Sequence, residues 1–163
     1  MIFRNPVDPL ENPDAIREFR EGLSLLTNNS ARDAVPHFTR AVELNKLNPF
    51  YLSYLGVAIA VSQRRWVDAE EHCLAALRMK RNQPEFYMNL SEVYRLAGKR
   101  WDAIRTLLEG LQLTGRDVLI VKALRKLGVR KPPVLPFLSR NHGLNRELGD
   151  LRYRVLKTIH QEI

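Results

Sequence analysis

The stretch Pro49–Gln83, PFYLSYLGVAIAVSQRRWVDAEEHCLAALRMKRNQ, holds two helical patterns separated by a polar break. In the first, Leu52, Leu55, Ile59 and Ser62 recur at spacings of three and four, which puts them on one face of a helix. In the second, Trp66, Ala69, Cys73, Ala76 and Leu77 do the same. Gln63, Arg64 and Arg65 lie between them and continue neither stripe. The pattern predicts a helical hairpin. One hairpin cannot bury its apolar face alone, so it must stack against others.

Two similar stretches flank it. Ala15–Asn48, AIREFREGLSLLTNNSARDAVPHFTRAVELNKLN, precedes it and Pro84–Asp117, PEFYMNLSEVYRLAGKRWDAIRTLLEGLQLTGRD, follows, giving a period of 34 to 35 residues. Small residues recur at one column, Gly22, Gly56 and Ser91. A second column holds Ala34, Ala69 and Ala103, a third Phe38, Cys73 and Leu107, and a fourth Ala41, Ala76 and Gly110. Antiparallel helices come within ~8–10 Å only where the crossing point carries little side chain. Gly56 is therefore expected to meet Ala69 inside its hairpin, with Ala76 receiving the next repeat and Leu55, Trp66 and Tyr94 filling the flanks. Polar breaks at 27–30 and 98–100 divide the outer segments, and Asn29 and Ser30 are candidate caps for the helix that follows them. Pro36 is expected early in its helix, where a missing amide hydrogen matters least, and Pro49 and Pro84 open theirs.

These columns resemble the tetratricopeptide repeat, W-x2-L-G-x2-Y followed by A-x3-F, A and P. Segment two carries the match in Leu52, Leu55, Gly56, Ile59, Ala69, Cys73 and Ala76. Segment three carries it in Tyr87, Leu90, Ser91, Tyr94, Ala103, Leu107 and Gly110; segment one keeps Gly22, Ala34, Phe38 and Ala41. The consensus proline is displaced to Pro49 and Pro84, and segment two has one extra residue in its turn. The resemblance implies an all-α, right-handed superhelical solenoid over residues 15–128. Its repeats are 15–48, 49–83 and 84–117, and 118–128 forms a capping helix ended by Gly128. Residues 1–14 form an N-terminal extension. Residues 129–163 form a basic, proline-containing segment expected to lie ordered along the solenoid surface. It ends in an amphipathic helix striped by Leu144, Leu148, Leu151, Val155 and Ile159.

In such repeats the first helix of each pair lines the concave surface. That face here gives Phe19, Arg20 and Leu23, then Phe50, Ser53, Tyr54 and Val57, then Met88, Asn89, Glu92 and Arg95, with Lys122 and Lys126 from the cap. The resemblance implies a groove grading from apolar to basic, suited to an apolar peptide or helix with an acidic end. One subclass grips a C-terminal carboxylate with Lys and Asn at fixed inner positions. Those positions are Phe19, Leu23 and Tyr54 here, Asn89 alone matches, and no clamp is expected. The length and three repeats also resemble small bacterial secretion chaperones of this fold, from whose generally acidic character the basic final third departs.

The chain has 163 residues, with 45% hydrophobic and 27% charged, so it suits one compact core rather than a disordered chain. Its net charge of +8 is unevenly placed: residues 116–163 alone hold eleven basic and four acidic residues. Arg130, Lys131, Arg140, Arg146, Arg152, Arg154 and Lys157 make that segment the competing site, for nucleic acid or an anionic surface, with Phe137 and Tyr153 as stacking groups. Its few aromatics weigh against this reading. Cys73 is the one cysteine, so no internal disulfide is available, and it occupies a core column. His37 and His72 fall at equivalent positions without an acidic residue at ligand spacing, and neither a phosphate loop nor a serine elbow is present. A non-enzymatic module is expected, with no catalytic residue, metal or cofactor, that binds a protein or peptide partner. The acidic, proline-containing opening lacks a signal-peptide pattern and no apolar run is long enough to span a bilayer, so the expected location is cytoplasmic.

Overall fold

The structure is a computed structural model that describes residues 12–115 and 117–128 together with Gly143, Glu147 and Leu148, each in a helical conformation. It divides into two compact units, residues 1–128 and 129–163, and the first is described below. The tail residues Arg130, Lys131, Arg140, Arg146, Arg152, Arg154 and Lys157, the ordered proline segment and the amphipathic stripe lie outside the described residues, apart from Leu148.

Seven helices are present among the described residues: α1 (Pro13–Thr27), α2 (Ala31–Leu44), α3 (Pro49–Gln63), α4 (Trp66–Met79), α5 (Pro84–Leu96), α6 (Arg100–Leu113) and α7 (Val118–Lys126). Each pair α1–α2, α3–α4 and α5–α6 packs as a hairpin, α3 also packs on α2 and α5, and α7 packs on α5 and α6. The architecture is an all-α solenoid of stacked hairpins. None of the described helices is long and apolar enough to cross a membrane.

The helix boundaries follow from capping chemistry. Pro13, Pro49 and Pro84 each stand at the first helical position, where proline's missing amide costs nothing. Asn12, Asn48 and Asp117 accept hydrogen bonds from the amides that follow them, at 2.9 Å for Asp14 N, 2.9 Å for Phe50 N and 2.7 Å for Leu119 N. The α1–α2 break works differently from the sequence expectation. Asn29 takes a left-handed backbone, φ 61°, and Ser30 occupies the cap position without a side-chain cap bond. Pro36 sits six residues into α2, past the free first turn, so it removes an internal hydrogen bond there. The buried Ala31, Ala34, Phe38 and Ala41 on the same helix hold it in place by packing.

The repeat columns meet at the helix crossings. A Cβ placed on Gly56 would stand 2.6 Å from Ala69 O and 2.7 Å from Cys73 Sγ. One on Gly22 would meet the Phe38 ring at 2.7 Å, and one on Gly110 would meet Tyr87 Cγ at 2.5 Å. Ala34, Ala69, Cys73, Ala76, Ala103 and Leu107 are all fully buried. A buried Leu, Phe or Val side chain contributes about 1.5–3 kcal/mol. The core runs unbroken from Ala15 to Val93 through Phe38, Tyr51, Leu55 and Phe86. Helix α3 is the most enclosed element, with every residue from Phe50 to Ala60 buried except the half-buried Leu52.

Two stability outcomes follow. Gly56→Ala gains about 1 kcal/mol of helix propensity, but overpacking costs about 1–3 kcal/mol and the obstructing atom is a backbone oxygen that cannot swing aside. Thermal denaturation should therefore show a net loss, and an unchanged melting temperature would mean that the hairpin is not closely packed there. Asp117→Ala removes the cap of α7 and should cost about 1 kcal/mol. Hydrogen exchange at Leu119 and Ile120 should speed up, and Asp117→Ser should restore most of the protection.

Candidate functional site

The residues expected on the binding face come from α1, α3, α5 and α7, of which α3 packs on α5 and α5 on α7. The row divides sharply by burial. Phe50, Ser53, Tyr54, Val57 and Asn89 are buried, as is Phe19, while Arg20, Arg95, Lys122 and Lys126 are exposed and Leu23, Met88 and Glu92 are half-buried.

The buried members pack and bond to one another. Asn89 Nδ2 donates to Ser53 Oγ at 2.9 Å and thereby ties α5 to α3. Phe19 stands 4.7 Å from Tyr51 and 5.5 Å from Tyr54, ring centre to ring centre, and Phe50 meets Phe86 edge-on at 4.9 Å. Burial pushes the Tyr54 hydroxyl well above its ordinary pKa, and the Glu85 carboxylate adds to the shift. Glu85 is itself 6% exposed and accepts a hydrogen bond from Gln83 Nε2 at 2.7 Å. Sequence reasoning passed over Glu85, although it stands in the repeat column that Phe50 occupies one repeat earlier.

At the α5–α7 end the row is open. Met88, Glu92, Arg95, Ala123, Lys126 and Leu127 line a cleft of about 270 Å³. Arg95 does not project as a free cation there: its Nε and Nη2 donate to Glu92 at 2.7 and 2.6 Å. That bidentate bond holds the guanidinium above its usual pKa, while partial burial acts in the opposite sense. Lys122 and Lys126 sit one turn apart on α7, and α7 ends with Arg125 and Lys126 in its last turn. Arg20 is remote from these groups, in a separate hollow with Pro13, Ile16, Arg17 and Glu21. The apolar-to-basic grading thus takes a particular form: a sealed aromatic middle and an open end whose free positive charge comes from α7.

Other candidate chemistry resolves into packing. His37 has an acidic partner from the neighbouring helix: Glu18 of α1 accepts from its Nδ1 at 2.8 Å. That bond lowers the Glu18 carboxyl pKa. No three His, Cys, Asp or Glu side chains converge for a metal among the described residues. Burial pushes the Cys73 thiol up to about 12, and its S–H points to Ser53 O at 3.5 Å.

Stacked helical hairpins with small-residue crossings define a helical-hairpin solenoid as a class of fold. Within that class the chain has the tetratricopeptide-repeat fold. It is similar to the tetratricopeptide-repeat domain of Sgt2 from Aspergillus fumigatus, at 17% identity and a TM-score of 0.64, covering 87% of this chain and 99% of that one. The second such domain of human RPAP3, solved with the HSP70 peptide SGPTIEEVD, is 19% identical with a TM-score of 0.59, covering 72% and 97%. The Yersinia enterocolitica type III secretion chaperone SycD, in complex with a peptide of the translocator YopD, is 12% identical with a TM-score of 0.60, covering 74% and 92%. No protein-family model and no curated protein matches the sequence.

A thiol reagent gives a direct check on the core. At mildly alkaline pH the native protein should leave Cys73 unmodified, and labelling should appear only with the unfolding transition. Labelling of the folded protein would show that the α3–α4 crossing opens.

Proposed function

We propose that the protein is a non-enzymatic interaction module that binds a peptide or helix of another protein along the face formed by α1, α3, α5 and α7. In this reading repeats 15–48, 49–83 and 84–117 and the cap 118–128 form the binding unit, residues 129–163 are a separate basic segment, and the module acts in the cytoplasm. The observation that carries it is the open α5–α7 cleft, where apolar Met88 and Leu127 stand beside cationic Lys126. Such a site suits an apolar side chain next to an acidic one. Solved neighbours of the same fold hold peptides, HSP70's SGPTIEEVD in one and a YopD segment in another, which supports peptide binding.

The mode is not carboxylate capture. Phe19, Leu23 and Tyr54 occupy the clamp positions, two of them buried in the aromatic cluster, and Asn89 spends its amide on Ser53. Phe50, Ser53, Tyr54 and Asn89 then serve as the packed wall that sets the row. Glu92, Arg95, Lys122 and Lys126 make the polar contacts, and Arg20 stands apart as an outlying contact.

Affinity capture with the full chain tests the reading. Lys122→Glu combined with Lys126→Glu should remove the captured partner while leaving the melting temperature within error, because both side chains are exposed. A partner set unchanged by this reversal would sink the assignment of the α5–α7 end.

A further inference from the structure

A second cleft opens on another side of the array, between α4 and α6, with α5 as its floor, and its volume is about 280 Å³. The half-buried Leu74 and Leu77 form its accessible apolar surface, and the buried Leu90 and Tyr87 and the half-buried Tyr94 complete the lining. Both tyrosine hydroxyls are already engaged, Tyr87 donating to Arg81 O and Tyr94 to Glu70 Oε1, each at 2.8 Å. The floor is therefore apolar and held in place. Three arginines rim it: Arg78, Arg81 and Arg105. Arg78 and Arg81 make no ion pair among the described residues, and Arg105 is only loosely paired with Asp102, at 3.7 Å with its side chain 80% exposed.

The repeat supplies an internal control. Counting from the shared columns, Glu43 stands where Arg78 does and Glu71 where Arg105 does, one repeat earlier. In the earlier repeat Glu43 is paired with Arg40 at 3.0 Å on its own helix. At the third position Lys46 already has the charge of Arg81, and Arg78 also gains from standing in the last turn of α4, where the helix dipole favours a cation. The two reversals together leave three arginines on the edge of the α4–α6 cleft where the earlier repeat has one lysine at the matching positions.

We propose that the α4–α6 cleft is a second docking surface, whose occupant is an acidic polypeptide segment of a partner that seats an apolar side chain on Leu74 and Leu77 and sets carboxylates against Arg78, Arg81 and Arg105. Charge complementarity gives the site its selectivity, while Asp102 and Glu109, which flank Arg105 on α6, disfavour a uniformly acidic chain and favour one with interspersed apolar residues. The surface is independent of the α5–α7 end, so one can fail without the other.

The test is fluorescence anisotropy on the full chain with a labelled peptide in which Glu alternates with Leu. A control peptide carries Lys in place of Glu. The acidic peptide should bind, less tightly as salt is raised, and the control should not. In a chain already carrying Lys122→Glu and Lys126→Glu, which disables the α5–α7 end, the acidic peptide should still bind, and adding Arg78→Glu with Arg105→Glu should weaken that binding by about tenfold or more, equivalent to about 1.4 kcal/mol. Arg81→Glu, in the exposed turn after α4, gives a second reading should the double variant melt early. Absence of binding in the Lys122→Glu, Lys126→Glu chain, equal binding of the Lys peptide to it, or binding there that the arginine changes leave intact would each overturn the proposal.

Discussion

The near contact of two helix backbones inside the central hairpin constrains everything else in the molecule. At Gly56 the α3 backbone lies so close to Ala69 O that not even a methyl group fits between them. This approach lets the fully buried Cys73 fill a column that holds the much larger Phe38 one repeat earlier. In the first hairpin Gly22 faces the Phe38 ring instead, and in the third the small residue has moved to Gly110, opposite Tyr87. The crossings are thus filled differently, by glycine against a ring in the first and third hairpins and by glycine against Ala69 O and Cys73 in the second. The total volume at the crossing is what packing requires, since interiors are filled to crystal-like density.

Because packing supplies the stability, the charges are left free for other uses. The ion pairs Arg17–Asp14, Arg40–Glu43, Arg65–Asp68, Arg95–Glu92 and Arg105–Asp102 all join residues three apart on the helix surface. Exposed pairs of this kind contribute roughly 0–1 kcal/mol each. Their larger effect is to decide which cations a partner meets. Arg95 is neutralised by Glu92, so the open end of the row depends on the lysines of α7. Two local devices secure the placement of α7: the Asp117 cap at its start and the Arg100 guanidinium donating to Leu127 O at its end.

The array of hairpins was legible in the residues because helix periodicity and the small columns are local, repeated signals. Pro49 and Pro84 marked helix starts, and Gly128, with φ 70°, marked the end of α7. The α1–α2 turn was misread because Asn29 can cap or take the left-handed conformation equally well in sequence terms, and geometry chose the second. Pro36 was placed too early because the start of α2 was set by that same turn.

Side-chain exposure and pairing within the binding row were not legible. Periodicity names the face on which Ser53, Tyr54 and Asn89 sit, but their burial depends on α1 and α5 arriving alongside α3. Glu18 meets His37 across nineteen residues, and Asn89 meets Ser53 across thirty-six. A linear sequence records which groups can bond, and those distances are closed only when hairpins stack. The pattern of residues thus dictates that helices form, cross and repeat, because these are short-range matters of shape and period. Which cations stay free, and where clefts open between neighbouring helices, is settled by the stacked array, because both depend on groups brought together from different repeats.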